Sequence, residues 1–185
     1  DAGKITSGEL KSHNYVGPIA FPPLLSLTAE NSTTESIAEV NGVKDVSGNG
    51  NHGQAFGGVE VVDSEMGKAF SFDGVDDYIL DNSVTYENAT EFTVSVWAKK
   101  TAYTQYQSIY SDYYSGINRS VILGYESTEG MMHFYCGDGT NIKAIGVNGV
   151  FIQDEWAMWT GVFKGAEYMR LYKNDVLIGE LTVGV

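Results

Sequence analysis

The amino-acid sequence predicts an all-β protein, an antiparallel β-sandwich built from short strands. Apolar residues nowhere recur at the i, i+3, i+4, i+7 spacing of an amphipathic helix over a long stretch, so no substantial helix is expected. Instead, about a dozen short apolar runs alternate with turn residues at near-regular spacing, which is typical of sandwiches and barrels. The 22 glycines and only three prolines agree with tight turns between many strands.

The chain is predicted to hold one domain, residues 23–185, preceded by an arm or linker over residues 1–22. The arm shows no clear period and ends at Phe21-Pro22-Pro23, where consecutive prolines disfavour both a helix and a central strand. A chain of 185 residues is long enough to bury a full core without disulfide support.

The strands are expected wherever an apolar run lies between turn signals. Loops are expected at residues 45–53, which read DVSGNGNHG, and at the hairpin turn Lys173-Asn174-Asp175. In chain order, the strands are predicted at Leu24–Leu27, Val59–Val62, Ala69–Phe72, Tyr78–Leu80, Glu91–Lys100, Gln107–Ser111, Ser120–Tyr125, Met131–Cys136, Lys143–Val147, Trp156–Phe163, Tyr168–Tyr172 and Val176–Leu181.

The clearest strand is Glu91–Lys100, because its residues alternate with a period of two. Phe92, Val94, Val96 and Ala98 share one face, which predicts a half-buried antiparallel strand. We expect that face to lie opposite Met158 and Val162 across the sandwich.

Charge and cysteine content exclude several classes of function. The formal net charge is −13, and a surface so negative repels phosphate backbones, so no nucleic-acid partner is expected. The single cysteine, Cys136, allows no internal disulfide and is expected to be a small buried residue. No apolar run reaches the ~18 residues of a membrane span.

Three stretches resemble laminin-G-like domains, the LamG-like jelly rolls of the concanavalin A-like lectin/glucanase superfamily. Residues 45–53 are similar to their D-x-S-G-N-G-x-x-G loop, residues 67–78 to G-K-A-x-x-F-D-G-x-D-D-Y, and residues 92–97 to F-T-x-S-x-W. The resemblance covers about residues 24–183. It implies a concanavalin A-like jelly roll that binds a glycan or another extracellular protein.

The end of the sequence departs from this family. Laminin-G-like domains typically continue with further strands after the hairpin that resembles residues 171–179, and this sequence lacks them. Either the sequence is cut short there, or another chain supplies the missing strands and the domain has open sheet edges. These edges, or the arm of residues 1–22, could link copies of the chain into a homo-oligomer.

A calcium site is the sharpest chemical prediction. Asp45, Ser47 and Asn49 follow the spacing of loops that wrap oxygen ligands around Ca²⁺, and Asp73 is the first candidate for a further ligand. The resemblance also implies calcium. An alternative interpretation remains open, in which the Asp and Asn side chains only hydrogen-bond the backbone of their own turns.

A tyrosine-rich segment, residues 103–114, is the predicted ligand-binding surface. Exposed tyrosine rings stack on sugar faces and are enriched at protein interfaces, whereas alternating tyrosines can also belong to the core of a hairpin. The candidate ligand-binding residues are Tyr106, Tyr110, Tyr113, Tyr114 and Asn118.

No catalytic residue is predicted. The strand motif E-x-D-x-x-E, with which some sandwiches of this class hydrolyse glucans, does not occur. We therefore expect a non-catalytic carbohydrate-binding or adhesive module of a secreted or cell-surface protein. The alternative is a structural subunit or protein-interaction module of an extracellular assembly, such as a filament or pilus.

Overall fold

A computed structural model describes residues 23–81, 84, 89–101, 107–113, 120–126, 130–137 and 142–183. The predicted all-β antiparallel architecture is confirmed: the described residues form fourteen strands and one five-residue helix. The chain divides into two compact units, residues 1–85 and 86–185, each with its own cluster of buried apolar side chains. The predicted arm, residues 1–22, lies outside the described residues, so the boundary at residue 23 stays a prediction.

The first unit is built from three antiparallel strand pairs. Its buried core consists of Ile37, Val43, Ala55 and Val59. The pairs are β1 (Leu27–Thr28) with β2 (Lys44–Asp45), β3 (Gln54–Phe56) with β6 (Tyr78–Leu80), and β4 (Glu60–Ser64) with β5 (Gly67–Ser71).

The helix α1 (Thr34–Ala38) begins at a reciprocal cap that satisfies free amides at its first turn. Thr33 Oγ accepts from the Ser36 amide at 3.2 Å, and Ser36 Oγ accepts from the Thr33 amide at 2.9 Å. Ile37 is the residue of α1 that is fully buried. A single turn with one apolar anchor shows no helical period, which is why the sequence pattern did not predict it.

The first strand lies three residues later than predicted. Leu24 is 56% exposed, and its carbonyl oxygen accepts side-chain hydrogen bonds from Asn51 at 2.7 Å and Asn49 at 3.1 Å. Because the loop amides occupy this carbonyl, strand pairing starts only at Leu27.

The second unit is a sandwich of two four-stranded antiparallel sheets. Each sheet presents one apolar face to a shared core. One sheet has the order β11-β10-β9-β8, with β8 (Gln107–Tyr113), β9 (Ser120–Glu126), β10 (Met131–Gly137) and β11 (Ile142–Val147); the other has the order β14-β13-β12-β7, with β7 (Glu91–Ala98), β12 (Ala157–Lys164), β13 (Tyr168–Lys173) and β14 (Val176–Thr182).

The period-two prediction for β7 is confirmed, because Phe92, Val94, Val96 and Ala98 all belong to the core of the second unit. The expected partners across the sandwich were wrong. β7 and β12 are neighbours in one sheet, with Met158 opposite Trp97 in the register. The β12 residues that belong to the core are Ala157 and Trp159. The core-facing side of this strand is therefore the opposite of the one expected, because Met158 and Val162 alternate with these residues.

The two sheets approach closely where Phe134 of β10 lies against Gly161 of β12. A Cβ atom on Gly161 would lie 2.7 Å from ring carbons Cδ2 and Cε2 of Phe134, which leaves no room for a side chain. Phe92 completes the contact with its ring edge-on to Phe134, at a centroid distance of 6.2 Å. Gly161 therefore provides the space that the fully buried Phe134 ring of the opposite sheet occupies.

Gly124 leaves room for His133, which is only 1% exposed, because a Cβ on Gly124 would lie 3.1 Å from His133 Nε2. In the register of β10, His133 lies between Gly124 of β9 and Gly146 of β11. Its ring contacts that of Tyr135 at a centroid distance of 4.6 Å. Burial lowers the pKa of the His133 imidazole to about 4, so the ring is neutral at physiological pH.

The turn between β13 and β14 has the predicted form. Asn174 and Asp175 adopt φ values of 48° and 66°, the left-handed pair of a two-residue hairpin turn. Asn174 Oδ1 also accepts the Met158 amide at 2.9 Å, which ties the turn to β12. None of the described helical residues forms a segment long and apolar enough to cross a bilayer.

Gly161→Ala should destabilise the protein by about 1–3 kcal/mol, because the new methyl group overpacks the Phe134 ring. Urea denaturation followed by tryptophan fluorescence measures the change. Phe134→Leu shortens the opposing side chain, so the double variant should lose less stability than the two single losses summed. Gly58→Ala, where the nearest atom is 3.4 Å away, is the matched control. If the stability loss of the double variant equalled the sum of the two single losses, the contact between Gly161 and Phe134 would be contradicted.

Acid should destabilise the protein through His133. Its folded pKa lies below the unfolded value, so the unfolded chain binds a proton first, and stability is lost as the pH falls from about 6.5 to about 4. The loss from this residue should reach about 2–3 kcal/mol. Denaturation at several pH values checks this, with His133→Gln as the comparison. If the free energy of unfolding depended on pH identically in the two proteins, His133 would not be the source of the acid destabilisation.

Candidate functional site

The loop after β2 is organised around the carboxylate of Asp45, which is 7% exposed. Oδ1 accepts hydrogen bonds from the amides of Ser26 and Ser47, both at 2.9 Å. Oδ2 accepts from Ser47 Oγ at 2.7 Å and from the Asn51 amide at 2.9 Å. Each oxygen therefore receives two donors from the protein itself.

These donors also determine the ionisation of Asp45. Burial alone would raise the pKa of this carboxyl, but the hydrogen bonds from Ser47, Ser26 and Asn51 outweigh burial and lower the pKa to about 2. The hydrogen bonds that the carboxylate receives from its own loop and from Ser26 are thus sufficient to stabilise the ionised form of Asp45. A cation on these oxygens would have to displace at least one of the donors.

Ser47 and Asn49 are brought together with Asp45, as the sequence predicted, and both use their side chains inside the loop. Ser47 Oγ accepts from the Asn49 amide at 3.2 Å. Asn49 Nδ2 donates to the Pro23 carbonyl at 3.0 Å and to the Leu24 carbonyl at 3.1 Å. The loop therefore fastens residues 23–24 to the first unit.

Asp73 lies in the turn between β5 and β6, and its neighbours there are Asp76 and Asp77. Each of these three carboxylates has an oxygen within 4.8 Å of the others, and Asp45 does not belong to the group. Asp73 Oδ1 accepts the Val75 amide and Asp77 Oδ2 accepts the Asp73 amide, both at 2.8 Å. Three carboxylates at this spacing suit a hard cation such as Ca²⁺, so the calcium prediction rests more on this turn than on the Asp45 loop.

The predicted tyrosine surface is only partly described. Tyr106, Tyr114 and Asn118 lie outside the described residues. Tyr113 ends β8, opposite Ser120. Tyr110 packs partly buried against the core of the second unit, in agreement with the alternative in which alternating tyrosines are structural.

An exposed aromatic surface lies elsewhere, on the β3–β6 pair. The sequence pattern did not predict a site at these residues. Phe56 and Tyr78 are opposite each other in the register, and their rings stack with centroids 5.0 Å apart and planes at 17°. Tyr78 is 50% exposed, and Leu80, two residues along the same face, is 40% exposed. The sequence could have predicted this surface from the alternation of Tyr78, Ile79 and Leu80. With Ile79 facing the core, period two places the other two large side chains on the outer face.

A shallow cavity of about 160 Å³ is lined by residues from β7 and β12 and by Tyr168 of β13. The cationic groups at this cavity form ion pairs: Lys164 pairs with Glu167 at 2.9 Å, and the neighbouring Arg170 pairs with Glu180. The Arg170 guanidinium also lies 3.9 Å from the centroid of the Tyr168 ring. An anionic ligand in this cavity would therefore compete with carboxylates of the protein for these two cations.

Comparison with protein families finds one match, to a laminin-G model described as the concanavalin A-like lectin/glucanases superfamily, over residues 73–185. The matched part includes the Asp73 turn and the whole second unit. No curated protein matches the chain in sequence.

Among solved structures, an S-layer domain-containing protein from Clostridium thermocellum (residues 221–444) is 25% identical, with a TM-score of 0.52 over 87% of this chain and 73% of that one. The binding domain of botulinum neurotoxin DC, solved with rat synaptotagmin II, is 20% identical, with a TM-score of 0.59 over 88% of this chain. The binding domain of paraclostridial mosquitocidal protein 1 is 18% identical, with a TM-score of 0.59 over 78%. The chain spans 40% and 38% of the length of the two toxin domains.

Asp45→Asn should cost about 2–3 kcal/mol, because an amide group would replace an oxygen that faces two donors. The cost should be the same in calcium and in chelator, as measured by thermal and denaturant unfolding. It should also shrink between about pH 4 and pH 2, because the depressed pKa of Asp45 stabilises the fold only above that range.

Asp63→Asn provides the control for this prediction, since the Asp63 side chain is 89% exposed and pairs with Lys68 at the surface. It should change stability little. A cost of Asp45→Asn that disappears in chelator would show that Asp45 acts through an ion.

Proposed function

The chain belongs to the concanavalin A-like lectin/glucanases superfamily, and from that premise we propose that it is an extracellular carbohydrate-binding or adhesive module without catalytic activity. The observation that carries the proposal is the similarity of its fold to an S-layer domain and to the binding domains of toxins. The fold alone does not determine a function, so the proposal also draws on the surface chemistry of this chain.

The relatives support binding to either of two classes of partner. One solved toxin binding domain is in complex with rat synaptotagmin II, and the binding domain of the same neurotoxin has been solved in complex with SialylT. Another structure concerns a neurotoxin whose cell entry depends on two ganglioside molecules. Glycans and proteins are therefore the partner classes that we carry over to this chain.

The net charge and the sequence motifs favour binding over catalysis. With a charge of −13, the chain repels polyanions, which favours a neutral glycan or a protein over nucleic acid. The hydrolytic motif E-x-D-x-x-E is missing from the sequence. Two buried titratable groups are poorly matched to acid–base catalysis, since burial lowers the pKa of His133 to about 4 and hydrogen bonds lower the pKa of Asp45 to about 2.

A second candidate function is that of a subunit in an extracellular assembly. The similarity to an S-layer domain favours it, together with the position of β14 at the edge of its sheet. Val176 and Leu177 on this strand are 64% and 47% exposed. An edge strand with exposed apolar residues can pair with a strand of another chain, so homo-oligomers through this edge or through the arm belong to this candidate.

Calcium is the cofactor that the proposal includes, at the Asp73 turn. When bound there, the ion would neutralise carboxylates that repel one another and stabilise the folded state by mass action. Asp73, Asp76 and Asp77 would supply the oxygens.

A glycan array, run once in calcium and once in chelator, tests the proposed function. We expect binding to a restricted set of glycans, and the melting temperature should rise with the best binder while the mass from light scattering stays constant. An assembly subunit should instead show a mass that grows with protein concentration and no response to sugars. Binding to no glycan in either condition would reject the carbohydrate-binding module.

A further inference from the structure

The outer face of the β3–β6 pair carries apolar side chains that its own unit does not cover. The opposite face, with Ala55 and Ile79, packs on the core of the first unit. On the outer face, Phe56 stacks on Tyr78, whose side chain remains half-exposed. We call this surface, formed by Phe56, Tyr78 and Leu80, the aromatic face. A stacked aromatic pair held on two paired strands is a rigid platform, so a ligand that binds to it orders few side chains.

Carboxylate groups border the aromatic face on one side. Asp77 directly precedes Tyr78, and its Oδ1 lies 2.6 Å from the position of a Cβ on Gly57, so this oxygen sits over the glycine that follows Phe56. Gly57 has a φ of 86°, a conformation that favours glycine and that here leaves space for the carboxylate. A carboxylate oxygen that can accept hydrogen bonds is therefore held at Gly57, the residue next to Phe56 in the chain.

The charge beside the rings is not compensated within the described part of the chain. Asp73 and Asp76 add their carboxylates to that of Asp77, and none of the described ion pairs involves any of the three. An anionic ligand on the aromatic face would meet this local repulsion in addition to the overall charge of −13.

We propose that, in the calcium-free protein, the aromatic face is a glycan-binding site selective for uncharged sugars, with the ring of Tyr78 stacking on the sugar and Asp77 accepting its hydroxyl hydrogens. This inference rests on the proposed function and names the ligand class for it. A sugar ring presents an apolar face of C–H groups and an equatorial rim of hydroxyl groups. The first complements an aromatic ring, and the second complements a carboxylate that is an acceptor only.

The same geometry selects against sialylated and sulfated glycans. Their acidic groups would approach three carboxylates without a compensating cation among the described residues, and like charges a few ångströms apart repel each other strongly near a protein surface. Hydroxyl groups, in contrast, gain charge-assisted hydrogen bonds from the same carboxylates.

The experiment measures binding of lactose, cellobiose and N,N′-diacetylchitobiose by calorimetry, with 3′-sialyllactose as the charged counterpart of lactose, all in chelator. At least one neutral sugar should bind, and 3′-sialyllactose should bind more weakly than lactose. Tyr78→Ala should weaken binding by about tenfold or more, whereas Tyr78→Phe, which keeps the ring, should stay within a few-fold of the original protein. Asp77→Asn should weaken the binding of neutral sugars, and it should reduce the difference in affinity between lactose and 3′-sialyllactose.

Tyr168→Ala is the matched control, since it removes a tyrosine from the shallow cavity of the second unit, and it should leave binding unchanged. Far-UV circular dichroism and the melting temperature confirm that each variant is folded. Equal binding by the original protein and Tyr78→Ala, or equal binding of the charged and neutral sugars, overturns the inference. If the glycan array in chelator detects only sialylated or sulfated ligands, the inference fails while the proposed function stands; if the array detects no glycan in either condition, both fail.

Discussion

The contact between Phe134 and Gly161 is the constraint on which the sandwich of the second unit depends. The aromatic ring projects from the middle of one sheet, and only a residue without a side chain can receive it on the other. Gly179 plays the same part at the edge of the sheets, where a Cβ would lie 2.7 Å from Ile145 Cγ2. Because interiors are close-packed, these two glycines determine how near the sheets approach, and Trp159, Leu123 and the other core residues fill the space that remains.

The first unit is stabilised in a different way, because its buried apolar core is small. Hydrogen bonds to Asp45 gather the chain around one carboxylate and connect the loop after β2 to Ser26. Charge-assisted hydrogen bonds of this kind are stronger than neutral ones, and the low pKa of Asp45 expresses the same stabilisation of its charged form. A loop that resembles a metal-binding sequence can thus be satisfied by its own amide groups.

The surface of the first unit has a chemical character that its family membership does not specify. Large side chains stand outward from β6, and carboxylates stand in the turn before it. Contiguous exposed apolar side chains mark interaction sites more often than isolated ones do. The same fold in other proteins supports binding to different partners, so the side chains on its outer faces, and not the sandwich, determine what this chain recognises.

The sequence by itself determined the all-β class, the alternating face of β7, the hairpin at Asn174-Asp175 and the family, because period-two patterns and turn residues act locally along the chain. It also brought Asp45, Ser47 and Asn49 together, since they are neighbours in one loop. Only the tertiary structure decided that donors surround Asp45, that Trp159 and not Met158 faces the core, and that Phe56 and Tyr78 form an exposed stack. Each of these depends on strand register and on contacts between residues far apart in the chain, and a one-residue change of register reverses which side chains are buried.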